Sequence, residues 1–140
     1  MKVETRIKII LDTNIWVSFT IGKQMEKLKG VLYNPEVDIF ICDDIVIEYN
    51  DVIKRPKFRK YIKQSRVQEV NEIILLATNN KSYHSKIKIS RDKKDNYLLA
   101  LAKDINADYL VTGDQDLLVL EKFGDNGIIT FSQLLKIIDI

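Results

Sequence analysis

The stretch IKIILDTN, residues 7–14, reads as a short buried strand that ends on an acid. Ile7–Leu11 is apolar and rich in β-branched side chains, the pattern of a strand covered on both faces. A second stretch, YLVTGD at residues 109–114, has the same form: Tyr109–Thr112 is strand-like, Gly113 permits a sharp turn, and Asp114 follows. Working outward, strands and helices alternate. Helical patterns cover Asn14–Phe19, Gln24–Tyr33, Asp44–Lys54, Ser65–Thr78, Asn96–Ile105, Leu117–Lys122 and Ser132–Ile138. Strand patterns cover Val37–Cys42, Ile87–Ile89 and Ile128–Thr130. Pro35 marks a turn, and Pro56 breaks the helix before it. This alternation predicts an α/β fold: a three-layer α/β/α sandwich around a mainly parallel sheet of about five strands. In such sheets the functional crevice lies beyond the carboxyl ends of the strands. Asp12 and Asp114 are both expected at that edge.

Composition narrows the chemistry. The 140 residues suit a single domain, residues 1–140, with 46% hydrophobic residues. No apolar run approaches the ~20 residues that span a membrane. Lys2, Glu4, Arg6 and Lys8 interrupt the start of the chain, unlike a signal peptide, so the expected location is the cytoplasm. Cys42, the only cysteine, can form neither an internal disulfide nor a zinc cluster, and is expected to be buried as a small apolar filler. His84 is the only histidine and has no nucleophile motif around it. Carboxylates are left as the candidates for catalysis.

Each acid has a structural and a chemical reading. Asp12 could cap the following helix or present a carboxylate at the sheet edge. Glu48, within the mostly apolar IVIEY, shares a helix side with Ile45 and Val52; a carboxylate there needs an ion-pair partner or a metal. Lys54, Arg55 or a distant base could be that partner. Asp92 and Asp95 in RDKKDN fit a helix cap and an acid in the first turn, with Asp95 able to point inward. Asp114 and Asp116 in TGDQDLL fit a second cap. Converging carboxylates repel by about 3 kcal/mol per pair at ~5 Å and an effective dielectric of ~20. They must protonate or hold cations. All-oxygen ligands favour Mg²⁺ or Mn²⁺, which suit phosphodiester hydrolysis. Two basic stretches could hold phosphates: Lys54, Arg55, Lys57, Arg59, Lys60, Lys63 and Arg66, with Phe58 and Tyr61 among them; and Lys81, Lys86, Lys88, Arg91, Lys93 and Lys94. Both could equally be solvated faces. Trp16 and Phe19 are expected in the core.

Four blocks, LDTN (11–14), Glu48 ahead of IKRPKF (53–58), RDKKDN (91–96) and YLVTGDQDLL (109–118), together resemble the PIN-domain family, and more narrowly its toxins from toxin–antitoxin pairs. The resemblance spans essentially the whole chain. It implies a metal-dependent endoribonuclease in which Asp12, Glu48, Asp95 and Asp114 are the four acids. Asp116 matches a further acid near the metal, and Asn14 and Thr112 match polar positions that orient the site. Asp92 belongs to the narrower pattern. The resemblance also implies an RNA substrate, a cognate antitoxin and a homodimer as partners, with the N-terminal helices a possible dimer face. Lys54, Arg55, Lys57 and Arg59 are candidates to hold RNA phosphates. Two rivals stand beside this reading: a non-catalytic RNA-binding or scaffold domain, and a haloacid-dehalogenase-like phosphatase. The latter needs a second Asp where this chain has Asn14.

Overall fold

The computed structural model describes residues 6–22, 24–89 and 91–138. Its centre is β1 (Ile7–Leu11), which pairs in parallel with β2 (Val37–Ile41) on one side and with β4 (Tyr109–Val111) on the other. Beyond β2 lies β3 (Asn79–Asn80); beyond β4 lie β6 (Asn126–Ile129) and β5 (Lys122–Phe123). The strand order is β3-β2-β1-β4-β6-β5, with only the β5–β6 pair antiparallel. The chain leaves β1 toward β2 and later returns to β4 on the opposite side. The strand order therefore reverses between β1 and β4, the place where α/β sheets open a crevice at their carboxyl edge.

The helices among the described residues are α1 (Thr13–Ile21), α2 (Met25–Leu32), α3 (Asp43–Val52), α4 (Pro56–Arg59), α5 (Gln64–Ala77), α6 (Lys93–Ile105), α7 (Gln115–Leu118) and α8 (Phe131–Ile137). Helix α1 packs on both α3 and α5, while α6 packs against β4, giving the expected α/β/α layering. Trp16 and Phe19 on α1 are buried, their rings edge-to-face at 5.9 Å, and Phe19 meets Phe131 of α8 at 5.4 Å. Cys42 is buried and unbridged, as its apolar surroundings suggested. None of the described helices is long and apolar enough to cross a membrane.

Local chemistry sets the helix ends. Pro56 opens α4, where its missing N–H is not needed. Asp92 caps α6, its carboxylate accepting from Lys94 N at 3.0 Å. Asn106 ends α6 in the left-handed conformation. Thr130 and Gln133 form a reciprocal capping box at α8.

Two readings of the sequence need correction. Residues 87–89 form no strand. The N–H of Ile89 donates to the Asn96 side chain, and those of His84 and Ser85 donate to Asp104, so side chains take the bonds a ladder would use. The strand that does extend the sheet here is the two-residue β3, which pairs with Phe40 and Ile41. The helix expected at Leu117–Lys122 begins at Gln115 and ends at Leu118. Glu121 then takes a positive φ, and Gly124 begins a two-residue turn that folds β5 back on β6.

Leu99 lies wholly buried on α6, the helix that carries Asp95 toward the crevice. Leu99→Ala is expected to lower stability by about 2–5 kcal/mol, read as a lower urea midpoint at unchanged slope. A midpoint equal to that of the parent would show that α6 is not packed as described.

Candidate metal centre

The crevice gathers the acids that the sequence singled out. Asp12 follows β1 directly; its N–H donates to the Val111 carbonyl at 2.9 Å, extending the β1–β4 ladder by one bond. It occupies the cap position of α1 but makes no side-chain capping bond. Instead its Oδ2 accepts from Thr112 Oγ1 at 2.7 Å. The same Thr112 oxygen accepts from the Asp114 N–H at 3.0 Å, so one buried hydroxyl ties the two strand-end acids together. Asp114 in turn caps α7 by accepting from Asp116 N at 2.9 Å.

Asp95, only 2% exposed, reaches inward from the first turn of α6. Carboxylate oxygens of Asp95, Asp114 and Asp116 lie within 4.8 Å of one another, although Asp116 is largely exposed. A closed octahedral Mg²⁺ shell spaces its oxygens by roughly 3–4 Å. Oxygens gathered within 4.8 Å could share one ion, with water completing the shell. The donor set is all oxygen, with no His or Cys, so these residues fit a hard divalent cation. Repulsion within the trio favours the same occupant; solvent reduces it at Asp116.

Asp12 and Glu48 stand beside this trio rather than within it. Burial pushes the Asp12 carboxyl above its ordinary value, and the negative charges of Glu48 and Asp114 push the same way; the Thr112 hydroxyl and the Thr13 amide oppose them. Glu48 on α3 has a side chain 16% exposed. Its partner is neither Lys54 nor Arg55 but Lys94, whose ammonium lies 2.8 Å from Oε1. Tyr97 donates its hydroxyl to Glu48 Oε2 at 2.9 Å. The hydrogen bond to Glu48 raises the Lys94 pKa. Burial, and then the acceptor Glu48, raise that of Tyr97.

Lys94 and Tyr97 did not stand out as site residues in the sequence. Their i, i+3 spacing puts them on one face of α6, but the acid they share lies 46 residues earlier than Lys94. Asn14 sits exposed in the first turn of α1. The first basic segment lies apart from the acids. Lys54 and Arg59 line a separate groove with Asn50 and Ile62, and Arg55 pairs with Asp51 at 3.6 Å. Lys54 is about 9 Å beyond Glu48 along the α3 direction. Lys57 covers the Phe58 ring at 5.0 Å. Arg91, from the second basic stretch, reaches Asp116 at 3.7 Å.

Residues 8–116 match the PIN domain family. The chain belongs to that family. PIN domains are in general nucleases that bind divalent ions through acidic residues. Among solved structures, PAE2754 from Pyrobaculum aerophilum is similar in fold, with TM-score 0.65, 12% identity and 98% of each chain covered. So is VapBC2 from Rickettsia felis, solved bound to a DNA fragment from their promoter: TM-score 0.56, 19% identity, covering 87% of this chain and 97% of that one. No match was found among curated proteins.

The buried Asp12 makes a sign-definite expectation. Its folded pKa lies above the ordinary 3.8, so the folded state holds the proton more tightly than the unfolded state does. Stability from this group is therefore fullest at low pH and is lost as pH rises through the folded pKa. With divalent ions chelated, Asp12→Asn is expected to be more stable than the parent at pH 8, the gap closing as pH falls toward 4. Thermal melts across that range decide the matter, and a gap that widens at low pH contradicts this account.

Proposed function

We propose that this PIN domain is a metal-dependent endoribonuclease, the toxin of a toxin–antitoxin pair acting in the cytoplasm, with residues 1–140 as its single nuclease domain. The observation that carries the reading is the oxygen-only trio Asp95, Asp114 and Asp116 beside buried Asp12, at the point where the strand order reverses. In this reading Asp12, Asp95 and Asp114, with Asp116, hold Mg²⁺ or Mn²⁺ directly or through water. The ion would supply Lewis-acid polarisation of the phosphodiester and a lowered pKa for the attacking water.

The chain's own groups do the positioning. Thr112 fixes the Asp12 carboxylate and the Asp114 backbone with one hydroxyl. Glu48, oriented by Tyr97 and Lys94, accepts a hydrogen bond from the attacking water and aligns it with the phosphorus. His84 takes no part as a base: its imidazole is exposed and paired with Asp104 at 3.2 Å. Hydrolysis by water leaves a 5′-phosphate and a 3′-hydroxyl. Asn14 helps order the water around the ion. Lys54, Arg55, Lys57 and Arg59 hold more distant RNA phosphates. A cognate antitoxin would block the acidic crevice. A homodimer could use the outward side of the N-terminal helices, where Asn14, Ser18 and Ile21 of α1 remain at least partly exposed while Trp16, Val17 and Phe19 are buried.

Purified protein incubated with a structured RNA pool is expected to cut it in Mn²⁺ or Mg²⁺ and to stop in EDTA. Asp95→Asn should lower the rate by at least about 100-fold. Products ending in 2′,3′-cyclic phosphate would rule out the water route. Binding of RNA without cutting under any metal would favour the non-catalytic module. Turnover of a small phosphate ester in place of RNA would favour the phosphatase.

A further inference from the structure

We infer that the groove between residues 83–88 and α6 is a nucleotide-binding subsite, taking an unpaired nucleotide of the RNA strand next to the cut site. The substrate named here rests on the nuclease reading above; the groove itself is an independent feature. Its volume is about 560 Å³. Tyr83, Ile87, Tyr97 and Ala100 form an apolar floor. The Tyr83 and Tyr97 rings are near-parallel, 16° apart, with centroids at 6.1 Å. Lys86, Lys88, Arg91 and Lys93 line the same groove, all exposed, and no acid is among its described lining residues. Aromatic floor and cationic wall are the two elements that recognise single-stranded nucleic acid: a π-face for the base and cations for its phosphates. A duplex, with its bases stacked and paired, offers this floor nothing.

Two further observations connect the groove to the crevice and show that its wall is built in advance. Tyr97 belongs to both, since its hydroxyl donates to Glu48. Arg91 extends from the groove wall to Asp116 of the acidic trio. The wall is held at several points. Asn80 donates to Asp43 at 3.1 Å, Tyr83 to Asp44 at 2.8 Å, and Asp104 accepts from both His84 and Ser85. Ile89 N donates to Asn96 at 3.1 Å. These bonds explain why residues 81–89 hold a defined course outside the sheet. A preorganised wall lowers the entropy lost when a flexible strand binds.

The test is equilibrium binding of a fluorescent single-stranded RNA hexamer in EDTA, by anisotropy, from 50 to 200 mM KCl. The full chain is compared with Lys86→Ala/Lys88→Ala, with Lys27→Ala/Lys136→Ala as a charge-matched control on other faces, and with Tyr83→Leu and Tyr83→Phe. The groove lysine pair should reduce the salt slope by about 1.4, roughly 0.7 for each phosphate contact removed; the control pair should not. Tyr83→Leu should weaken binding roughly tenfold, while Tyr83→Phe, which keeps the ring and loses only the bond to Asp44, should bind as the parent does. The proposal is overturned if the hexamer does not bind, if both lysine pairs lower the slope equally, or if a hairpin duplex binds as well. A poly-glutamate peptide that displaces the hexamer, with Tyr83→Leu unchanged, overturns it in favour of an acidic protein segment. Because binding is read without metal, the two readings fail separately. A groove that binds in a protein that never cuts sinks only the nuclease. Cutting with groove variants that bind normally sinks only the groove.

Discussion

A carboxylate buried at the end of the central strand must be balanced by its surroundings, and the whole crevice is arranged around that requirement. Asp12 cannot move to solvent, because the β1–β4 ladder continues through its own N–H. Its neighbours Glu48 and Asp114 add negative potential to the unfavourable burial. Against this the chain sets only neutral donors, the Thr13 amide and the Thr112 hydroxyl, the latter also accepting from the Asp114 backbone. A neutral donor holds a carboxylate in place without cancelling its charge. The crevice thus keeps an excess of negative charge on a rigid frame, which raises its affinity for protons and cations alike.

The two basic stretches, alike in composition, acquire different meanings once they are folded. Residues 54–59 lie past the C-terminal end of α3, directed away from the carboxyl edge of the sheet. Of their cations, Arg55 pairs with Asp51 and Lys57 covers the Phe58 ring, while Lys54 and Arg59 line a separate groove. Lys86, Lys88, Arg91 and Lys93 line the groove, and Lys93 and Lys94 begin α6 immediately before Asp95. Charge density along the chain could not separate the two. What separates them is that α6 carries an acid of the trio and the base that pairs with Glu48 on successive residues, Asp95 and Lys94.

The frame of the fold was legible because it rests on local patterns. The apolar β-branched runs at 7–11, 37–41 and 109–111 are strands, and RDKKDN and TGDQDLL are the helix starts their acids suggested. The strand-end rule alone places Asp12 and Asp114 at one edge. Features set by distant partners were not legible. Residues 87–89 alternate like a strand, yet Asn96 and Asp104 take the backbone bonds of this region. Asn79–Asn80 has no strand propensity and becomes one only because β2 leaves an edge open beside it. Likewise, that Glu48 would be paired was evident from its apolar helix face. That the partner would be Lys94 was not, since only the fold brings α3 and α6 together.

The net charge of +2 conceals a spatial separation of sign. Acids converge at the strand ends, and cations line the adjoining wall. The two fields meet at two ion pairs, Lys94 with Glu48 and Arg91 with Asp116. Their geometries differ in a way that bears on the chemistry. Glu48 is held at 2.8 Å and shielded from water, whereas Asp116 is half-exposed and its pair is long at 3.7 Å, a contact that solvent weakens. A cation arriving at the trio therefore displaces little at Asp116. At Glu48 it would have to break a short, shielded contact reinforced by the Tyr97 hydroxyl. In the mechanism proposed above, the same asymmetry would favour an ion at Asp95, Asp114 and Asp116 and leave Glu48 as an oriented acceptor with its own counter-charge already in place.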